Sequence, residues 1–311
     1  PPRSTQGVSS AASDVYKRQG HYNIALGVHA LDDTTSGNDN IALGKLAAGN
    51  LTTGISNIAV GSGSMGLGTV TSHDNIAIGN FALEDNTTGG NNIAIGSGSL
   101  ASATNNLGNI ALGWESLNAT DNDGDRNIAV VYRAASAGDV SGDDNVLIGT
   151  NAGKNITSAT GNVAIGLNAM ALGVVTSISN IAIGELSGYD LTSGHRNIFL
   201  GVRAGTNATD NVNNIAIGYD AFMASADDAD ANIAIGLHAM KTGDVSGRSN
   251  TAIGSQALNL LTSGQSNIAI GSGSMGLGTV TSNDNIAIGN FALEDNTTGG
   301  NNIAIGSGSM S

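Results

Sequence analysis

The hydrophobic positions of this chain follow a short pattern that recurs along most of its length. Each copy runs Asn, then Ile, Val or Thr, then usually Ala, then Ile, Leu or Val, then Gly. Successive copies begin 17 or 18 residues apart, which predicts one turn of a repeating structure per copy. The seventeen copies begin at Asn23, Asn40, Asn57, Asn75, Asn92, Asn109, Asn127, Asn145, Asn162, Asn180, Asn197, Asn214, Asn232, Asn250, Asn267, Asn285 and Asn302.

The copy at 75–90 shows the elements that the sequence predicts for each coil. Residues 76–78 alternate with β-branched side chains, which indicates a strand rather than a helix. Residues 80–83 predict a second short strand, and residues 84–90 predict a polar turn. The fold class is therefore all-β, a parallel β-solenoid or β-roll of about 17 coils with 17–18 residues each. At about 4.8 Å per coil, such a rod is on the order of 80 Å long.

The two faces of the repeated strand differ in the size of their side chains. We expect the Ile and Leu residues at the second and fourth places inside the coil, each contributing roughly 1.5–3 kcal/mol when buried. The residue between them is Ala in fifteen of the seventeen copies, the exceptions being Leu147 and Phe199. Because Ala is a poor strand former, this face is expected to pack against another chain. In the alternative arrangement Ala lies inside and the Ile rows lie outside, which also requires a partner.

Three other positions of the repeat support specific expectations. The opening Asn is invariant within the chain, which predicts a ladder of amide side chains along the stack or a simple preference for the turn. Ala or Ser stands three places after every motif Gly. The two residues before that small one vary freely, as in Trp114–Glu115 and Tyr219–Asp220, which predicts an exposed ridge suited to binding.

The first nineteen residues do not share this pattern. Residues 9–19 resemble the translation of a transposase-type sequencing adapter, and residues 1–5 resemble a primer segment. We therefore interpret 1–19 as a disordered artefact and 20–311 as a single repeat array, a fragment lacking both natural ends. Residues 56–98 recur almost unchanged at 266–308, so the true number of coils depends on whether this duplication is genuine.

Composition narrows the classes of function. The net charge is −14, which disfavours nucleic-acid binding because that needs a basic surface. There are no cysteines, so disulfides and thiolate chemistry are excluded. The absence of cysteine does not indicate whether the protein resides in an oxidising or a reducing compartment. No stretch of about 18 apolar residues occurs, so contact with a membrane is expected only through regions missing from this chain.

The motif with its turn, as in residues 285–300, resembles the repeats of trimeric autotransporter adhesin heads. It is closer still to the Asn-Thr-Ala-Ile-Gly-type arrays of tail-fibre-domain proteins from phages and bacteria. The resemblance covers Asn23 to the end and implies a left-handed, trimeric, parallel β-roll that adheres to host surfaces. The repeat is longer here than is common in adhesin heads. No coiled-coil stalk, translocating barrel or chaperone domain is visible, so bacterial and phage origins both stay open.

Residues with potential for metal or catalytic chemistry are few. Alternating carboxylates at Asp121, Asp123 and Asp125 are the best candidates for Ca²⁺ ligands, although a solvated acidic turn is the default interpretation. The histidines are expected to fall at different places in the repeat and not to converge on a site. They are His21, His29, His73, His195 and His238. No nucleophile elbow, phosphate loop or dinucleotide fingerprint occurs, so no cofactor and no enzymatic activity are expected.

The sequence thus predicts a structural and adhesive segment of an extracellular fibre, either a bacterial surface adhesin head or a phage tail fibre. Its expected partners are two further copies of itself and an unidentified receptor or glycan on a host or environmental surface. The alternative is a monomeric β-solenoid that binds ice, glycan or Ca²⁺. Threonine pairs in many turns raise the ice-binding possibility, but their spacing is irregular.

Overall fold

A computed structural model describes residues 20–67, 70–118, 123–137, 140–224, 229–242 and 245–310. The segment 1–19, interpreted above as adapter-derived, lies outside this range. The chain divides into two compact units, the first ending at Thr150 and the second beginning at Asn151. The expectation of a single array over 20–311 therefore stays a prediction, and each unit is described by itself.

Each motif copy forms one three-residue strand, and the described residues contain no helix. The first unit contains β1 (Ile24–Leu26), β2 (Ile41–Leu43), β3 (Ile58–Val60), β4 (Ile76–Ile78), β5 (Ile93–Ile95), β6 (Ile110–Leu112), β7 (Ile128–Val130) and β8 (Val146–Ile148). The second contains β9 (Val163–Ile165), β10 (Ile181–Ile183), β11 (Ile198–Leu200), β12 (Ile215–Ile217), β13 (Ile233–Ile235), β14 (Thr251–Ile253), β15 (Ile268–Ile270), β16 (Ile286–Ile288) and β17 (Ile303–Ile305).

Within each unit, successive strands pair in parallel and in perfect register. Ala77 of β4 stands beside Ala94 of β5, and Ile215 of β12 stands beside Ile233 of β13. Because each strand belongs to a separate copy of the repeat, residues at one repeat position stack in a row. The prediction of an all-β, parallel β-solenoid is confirmed, with seventeen strands delimiting about sixteen turns. Coil handedness stays an implication of the resemblance.

The prediction of a second strand in each coil is wrong for the described residues. In 80–83, Phe81 and Leu83 adopt left-handed backbone conformations with φ of 56° and 54°, so the segment turns instead of extending. Hydrogen bonds between coils continue through it nevertheless, since the Leu83 N–H donates to the Ser99 carbonyl at 3.0 Å. Each coil is therefore one short strand joined by turns whose backbone is bonded to the neighbouring coils.

The expectation that the Ile rows lie inside the coil is also wrong, and the alternative arrangement is confirmed. Ala77 at the centre of β4 is fully buried, whereas Ile78 beside it is 37% exposed. The interior is occupied by larger side chains from the turn segment, such as Leu83 and Met65, which are both fully buried. These side chains project toward the strand, so only a methyl group fits between them and the strand backbone.

In the coil that contains β11, the large and small side chains exchange places: the strand carries the large residue and the turns carry glycines. Phe199 replaces the central Ala of β11 and is fully buried. Glycines stand at 205 and 188, where other coils carry residues such as Leu83 or Met170. A Cβ added at Gly205 would lie 2.6 Å from the Phe199 ring, and one at Gly188 would lie 3.1 Å from it. The ring thus fills the space that two turn side chains occupy elsewhere.

The opening asparagines form the amide ladder that the sequence predicted. Asn57 is buried, and its Nδ2 donates to Asn40 Oδ1 at 3.1 Å and to the Ser72 carbonyl at 2.9 Å. Its Oδ1 accepts the Asn75 N–H at 3.0 Å. Each such Asn ties its own turn to its strand and links two coils, which explains why no other residue replaces it within this chain.

The motif glycine is required where the chain leaves each strand. At Gly218, φ is 138° and an added Cβ would lie 2.4 Å from the carbonyl oxygen of Gly236 in the next coil. Val131 is the single departure in the sequence, and it adopts a φ of 89° that β-branched residues rarely tolerate. Val131 is therefore a site of local backbone strain.

We expect Val131→Gly to stabilise the first unit by about 1 kcal/mol. Relief of a strained backbone position contributes about 1–3 kcal/mol, and the greater freedom of Gly in the unfolded chain offsets part of this gain. The Val131 side chain is 43% exposed, so little burial is lost. Chemical denaturation measures the change. The matched control Gly113→Val should be destabilising, because its Cβ would lie 2.5 Å from the Val131 carbonyl oxygen. A loss of stability in Val131→Gly would contradict the strain argument.

Candidate binding surfaces

The outward face of the strands forms a regular apolar surface in each unit. In the second unit, the fourth-place residues Ile183, Ile217, Ile253 and Ile288 are 36–39% exposed and occupy equivalent positions on every second strand from β10 to β16. Second-place residues form a parallel row that is half-buried on most strands. We call these two rows the Ile face. Scattered apolar residues are normal on a surface, whereas regular apolar rows make this face a candidate interaction surface.

The ridge lies immediately after the strand, at the two positions that vary freely in the sequence. Its side chains are mostly exposed, as predicted: Phe81 is 47% exposed, Trp114 43% and Tyr219 45%. Asp220 is the exception, since it is fully buried. Most of this ridge therefore presents side chains that the solenoid itself does not need for packing.

An aromatic pair occupies the ridge in the first unit. Trp114 and Tyr132, on adjacent coils, stack with ring centroids 5.0 Å apart and an interplanar angle of 25°. The Arg133 guanidinium lies 5.7 Å from the Trp114 ring and pairs with Glu115 at 3.1 Å. One positive and one negative charge thus balance within this group, which we call the Trp114 cluster.

A second group on the ridge is built around a buried carboxylate in the second unit. Asp220 accepts hydrogen bonds from Arg203 Nε and Nη2 at 2.6 and 2.8 Å and pairs with Lys241 Nζ at 2.9 Å. His238 Nε2 lies 3.6 Å from the same carboxylate. The Tyr219 ring lies under the Arg203 guanidinium at 4.8 Å and 5.8 Å from the His238 ring. We call these five residues the Asp220 cluster.

The electrostatics of the Asp220 cluster favour the ionised carboxylate. Burial alone acts to raise the pKa of Asp220, but hydrogen bonds from Arg203 and Lys241 outweigh it. The pKa of Asp220 therefore lies below its ordinary value. Sequence reasoning named Tyr219 and Asp220 but missed their partners. Arg203, Asp220 and His238 share one repeat position on three successive coils, which alignment of the copies would have shown.

The proposed Ca²⁺ ligands are only partly within the described residues. Asp121 lies outside them, and Asp123 is exposed. Asp125 accepts the Leu107 N–H at 2.8 Å, so its carboxylate caps the backbone of the preceding coil. The Arg126 guanidinium also lies 3.9 Å from the Asp125 carboxylate. A Ca²⁺ site would need to be free of such a positive charge. Among the described residues, no group of three or more His, Asp or Glu side chains is arranged to hold a metal ion.

Arg126 is the centre of an acidic group formed with the next coil. It binds Asp144 at 2.7 Å and Asp143 at 3.2 Å. The hydrogen bond and the charge of Asp144 raise the pKa of Arg126, and the same hydrogen bond lowers the pKa of Asp144. With Asp125, three carboxylates surround one guanidinium, so this exposed group carries a net negative charge.

The expectation that the histidines fall at different repeat positions is wrong, since the five share only two positions. His21, His73 and His195 stand two residues before the motif Asn, and His29 and His238 stand two residues after the motif Gly. His73 Nδ1 accepts the Ile55 N–H at 3.0 Å, and His195 Nδ1 accepts the Ile178 N–H at 3.1 Å. These two rings therefore act as backbone caps between coils.

Eight threonines in the turns donate their hydroxyls to backbone carbonyls of neighbouring coils. Thr87 Oγ1 donates to the Thr104 carbonyl at 2.9 Å, and Thr192 Oγ1 donates to the Thr209 carbonyl at 3.0 Å. The same bond recurs from Thr35, Thr52, Thr157, Thr242, Thr262 and Thr281. These hydroxyls are directed along the stack, which gives the threonines a structural role.

Comparisons with known proteins assign no family to this chain. No model of a known protein family matches it, and no curated protein matches it. Within the described part of the chain, no helix has the length and hydrophobicity needed to cross a membrane. Any function must therefore be argued from the Ile face and the ridge.

Proposed function

We propose that this chain is a structural and adhesive segment of an extracellular fibre, of the kind found in bacterial surface adhesin heads or phage tail fibres. The observation that supports it best is the Ile face, since a repetitive parallel solenoid with one continuous apolar face suits lateral assembly. The sequence resemblance adds adhesion and an extracellular location to this proposal. In the fibre, the Ile faces meet and the ridge faces outward toward a receptor.

The partner on the Ile face is proposed to be the chain itself, assembled as a homotrimer. Its rows follow the repeat spacing, and a second copy presents an apolar surface with the same spacing. Closed cyclic assembly around these faces would remove them from water without creating an open filament. The number of three comes from the resemblance to trimeric repeat arrays. The Ile rows then gain the burial that the interior of the coil does not give them.

Molar mass in solution tests the assembly. Light scattering after size exclusion should give about three times the 30.8 kDa of one chain. The double variant Ile217→Lys with Ile253→Lys should dissociate the trimer, because charges within an apolar interface are costly to bury. Both side chains are already partly exposed in the single chain, so each coil should keep its β circular dichroism spectrum.

A matched control places lysine on apolar residues away from the Ile face. Leu277 in a turn and Leu237 on the ridge are 62% and 50% exposed. The double variant Leu277→Lys with Leu237→Lys should remain trimeric. A wild-type chain that is a stable monomer would contradict the proposal, as would a trimer that survives both Ile substitutions.

The proposed role involves no catalysis, and a glycan-degradation assay should release no products. The alternative of a monomeric solenoid that binds ice, glycan or Ca²⁺ shares the predicted fold but not the predicted mass. The threonine hydroxyls and the pairing of Asp125 described above favour the fibre over ice or Ca²⁺ binding.

A further inference from the structure

We infer that the Asp220 cluster binds the acidic groups of a glycan that carries carboxylate or sulfate substituents. The inference rests on the proposed function in one respect, since the ridge must stay outward-facing when the Ile face is covered. It names the chemical class of ligand that the ridge would recognise and the residues that would contact it.

The Asp220 cluster is a positively charged site on an acidic chain. The full chain carries a net charge of −14, with 11 Lys and Arg residues against 25 Asp and Glu residues. Within the Asp220 cluster, Arg203 and Lys241 carry two positive charges against the single negative charge of Asp220. The cluster is therefore positive even when His238 is neutral, and it lies on an otherwise acidic molecule. An anion approaching this surface meets attraction at the cluster and repulsion around it.

The cationic side chains of the Asp220 cluster are held in place before any ligand binds. The Asp220 side chain is fully buried, and it holds Arg203 from the preceding coil and His238 and Lys241 from the following coil around one point. Their side chains remain 37%, 24% and 27% exposed. Flexible cations lose side-chain freedom when they bind a ligand, and that cost is lower when they are already fixed. Nζ of Lys241 has three donors, so donors remain for a ligand after it bonds to Asp220.

The Asp220 cluster also presents an exposed aromatic ring. Tyr219 is 45% exposed and lies between Arg203 and His238 along the ridge. Aromatic side chains present apolar area beside a polar tip, which suits ligands that combine an apolar ring face with charged groups. A sugar ring with an acidic substituent has this combination, whereas a free inorganic anion would make no use of Tyr219.

Two other clusters provide the contrast that gives the inference its specificity. The Trp114 cluster has two exposed aromatic rings but balanced charges. The Arg126 group has a cation but three carboxylates around it. Only the Asp220 cluster, among the clusters described above, joins a net positive charge to an exposed aromatic ring. The other two clusters therefore serve as internal controls.

Binding of the full chain to immobilised oligosaccharides tests the inference. The probes are a heparin tetrasaccharide, a galacturonate tetramer and neutral maltotetraose, each measured by biolayer interferometry at two salt concentrations. We expect binding to one or both acidic probes, weaker at higher salt, and none to the neutral probe. Preference between the two acidic probes separates sulfate from carboxylate as the recognised group.

Substitutions assign the binding to the cluster. Tyr219→Ala and Lys241→Gln should each lower the affinity about fivefold or more, and Lys241→Arg should retain most of it because the charge is kept. Trp114→Ala and Arg126→Gln, in the contrasting clusters, should leave affinity unchanged. Melting temperature and molar mass are recorded for every variant, so that a loss of binding is interpreted only in folded protein of wild-type mass.

Three outcomes would overturn the inference: no binding to either acidic probe, equal binding to maltotetraose, or wild-type affinity in a folded variant lacking both Tyr219 and Lys241. Its failure is separable from failure of the fibre proposal. A trimer without acidic-glycan binding refutes this inference alone, whereas a monomer that binds through the Asp220 cluster refutes only the trimer.

Discussion

Phe199→Ala should lower the free energy of unfolding of the second unit by about 3–5 kcal/mol, the range typical of buried Phe truncations. The Phe199 ring is fully buried and fills space left by two glycines, at 188 and 205. Its removal therefore leaves a cavity that the glycines cannot close. Denaturant unfolding followed by circular dichroism gives the change as a shift of the midpoint.

A second substitution tests whether the two positions share one space. Gly205→Leu in the wild type should be destabilising, because its Cβ would lie 2.6 Å from the Phe199 ring. In the Phe199→Ala background the same Leu should restore much of the lost stability, as the arrangement then matches the ordinary coils. The backbone permits it, since Leu83 and Leu117 adopt φ of 54° and 48° at the equivalent position, close to the 60° of Gly205. A double variant no more stable than Phe199→Ala would contradict the shared-space argument.

Asn214→Asp should have a comparably large effect through the amide ladder. Asn214 is fully buried, and its Nδ2 donates to the Ala229 carbonyl at 2.7 Å and to Asn197 Oδ1 at 3.2 Å. An aspartate of the same shape would place a carboxylate oxygen against both acceptors. The expected loss is about 3–5 kcal/mol, because the new charge is buried without a partner. Thermal and chemical unfolding of the variant measure it.

The neighbouring residue offers a control that makes the same chemical change on the surface. Asn213 is exposed, and its Oδ1 accepts a hydrogen bond from Arg196 Nε at 2.9 Å. Asn213→Asp adds the same charge but strengthens this contact, so stability should stay within about 0.5 kcal/mol of wild type or rise slightly. If both variants lost equal stability, added negative charge on an acidic chain would explain the effect, and the ladder would not.

The features that depend on stacking along the axis were predictable from the sequence. The spacing of 17 or 18 residues identified the strand within each motif copy and the parallel stacking of equivalent residues. The invariant Asn identified the ladder, since its turn and its stack both need an amide at that place. In a repeat protein the same contacts recur in every coil. A wrong alignment of the copies would therefore place the wrong residues together at every coil, so only one alignment satisfies all of them.

The features that depend on distance across the coil were not predictable in the same way. Period-two alternation separates Ile from Ala, but it does not state which face points inward. That choice depended on the left-handed turn residues, such as Phe81 and Leu83, which bring Leu83 against the strand and leave space only for Ala77. The same turns removed the second strand that local propensity favoured at 80–83.

By itself, the sequence determined the repeat, the strand positions, the parallel register and the exposure of most of the ridge. Only the tertiary structure decided that the Ile rows face outward, that Phe199 substitutes for two turn side chains, and that Asp220 gathers cations from neighbouring coils. The physical reason is that periodicity records which residues stack along the axis. The width of the coil and the contacts across it are set by backbone turns whose consequences appear only when the chain is folded.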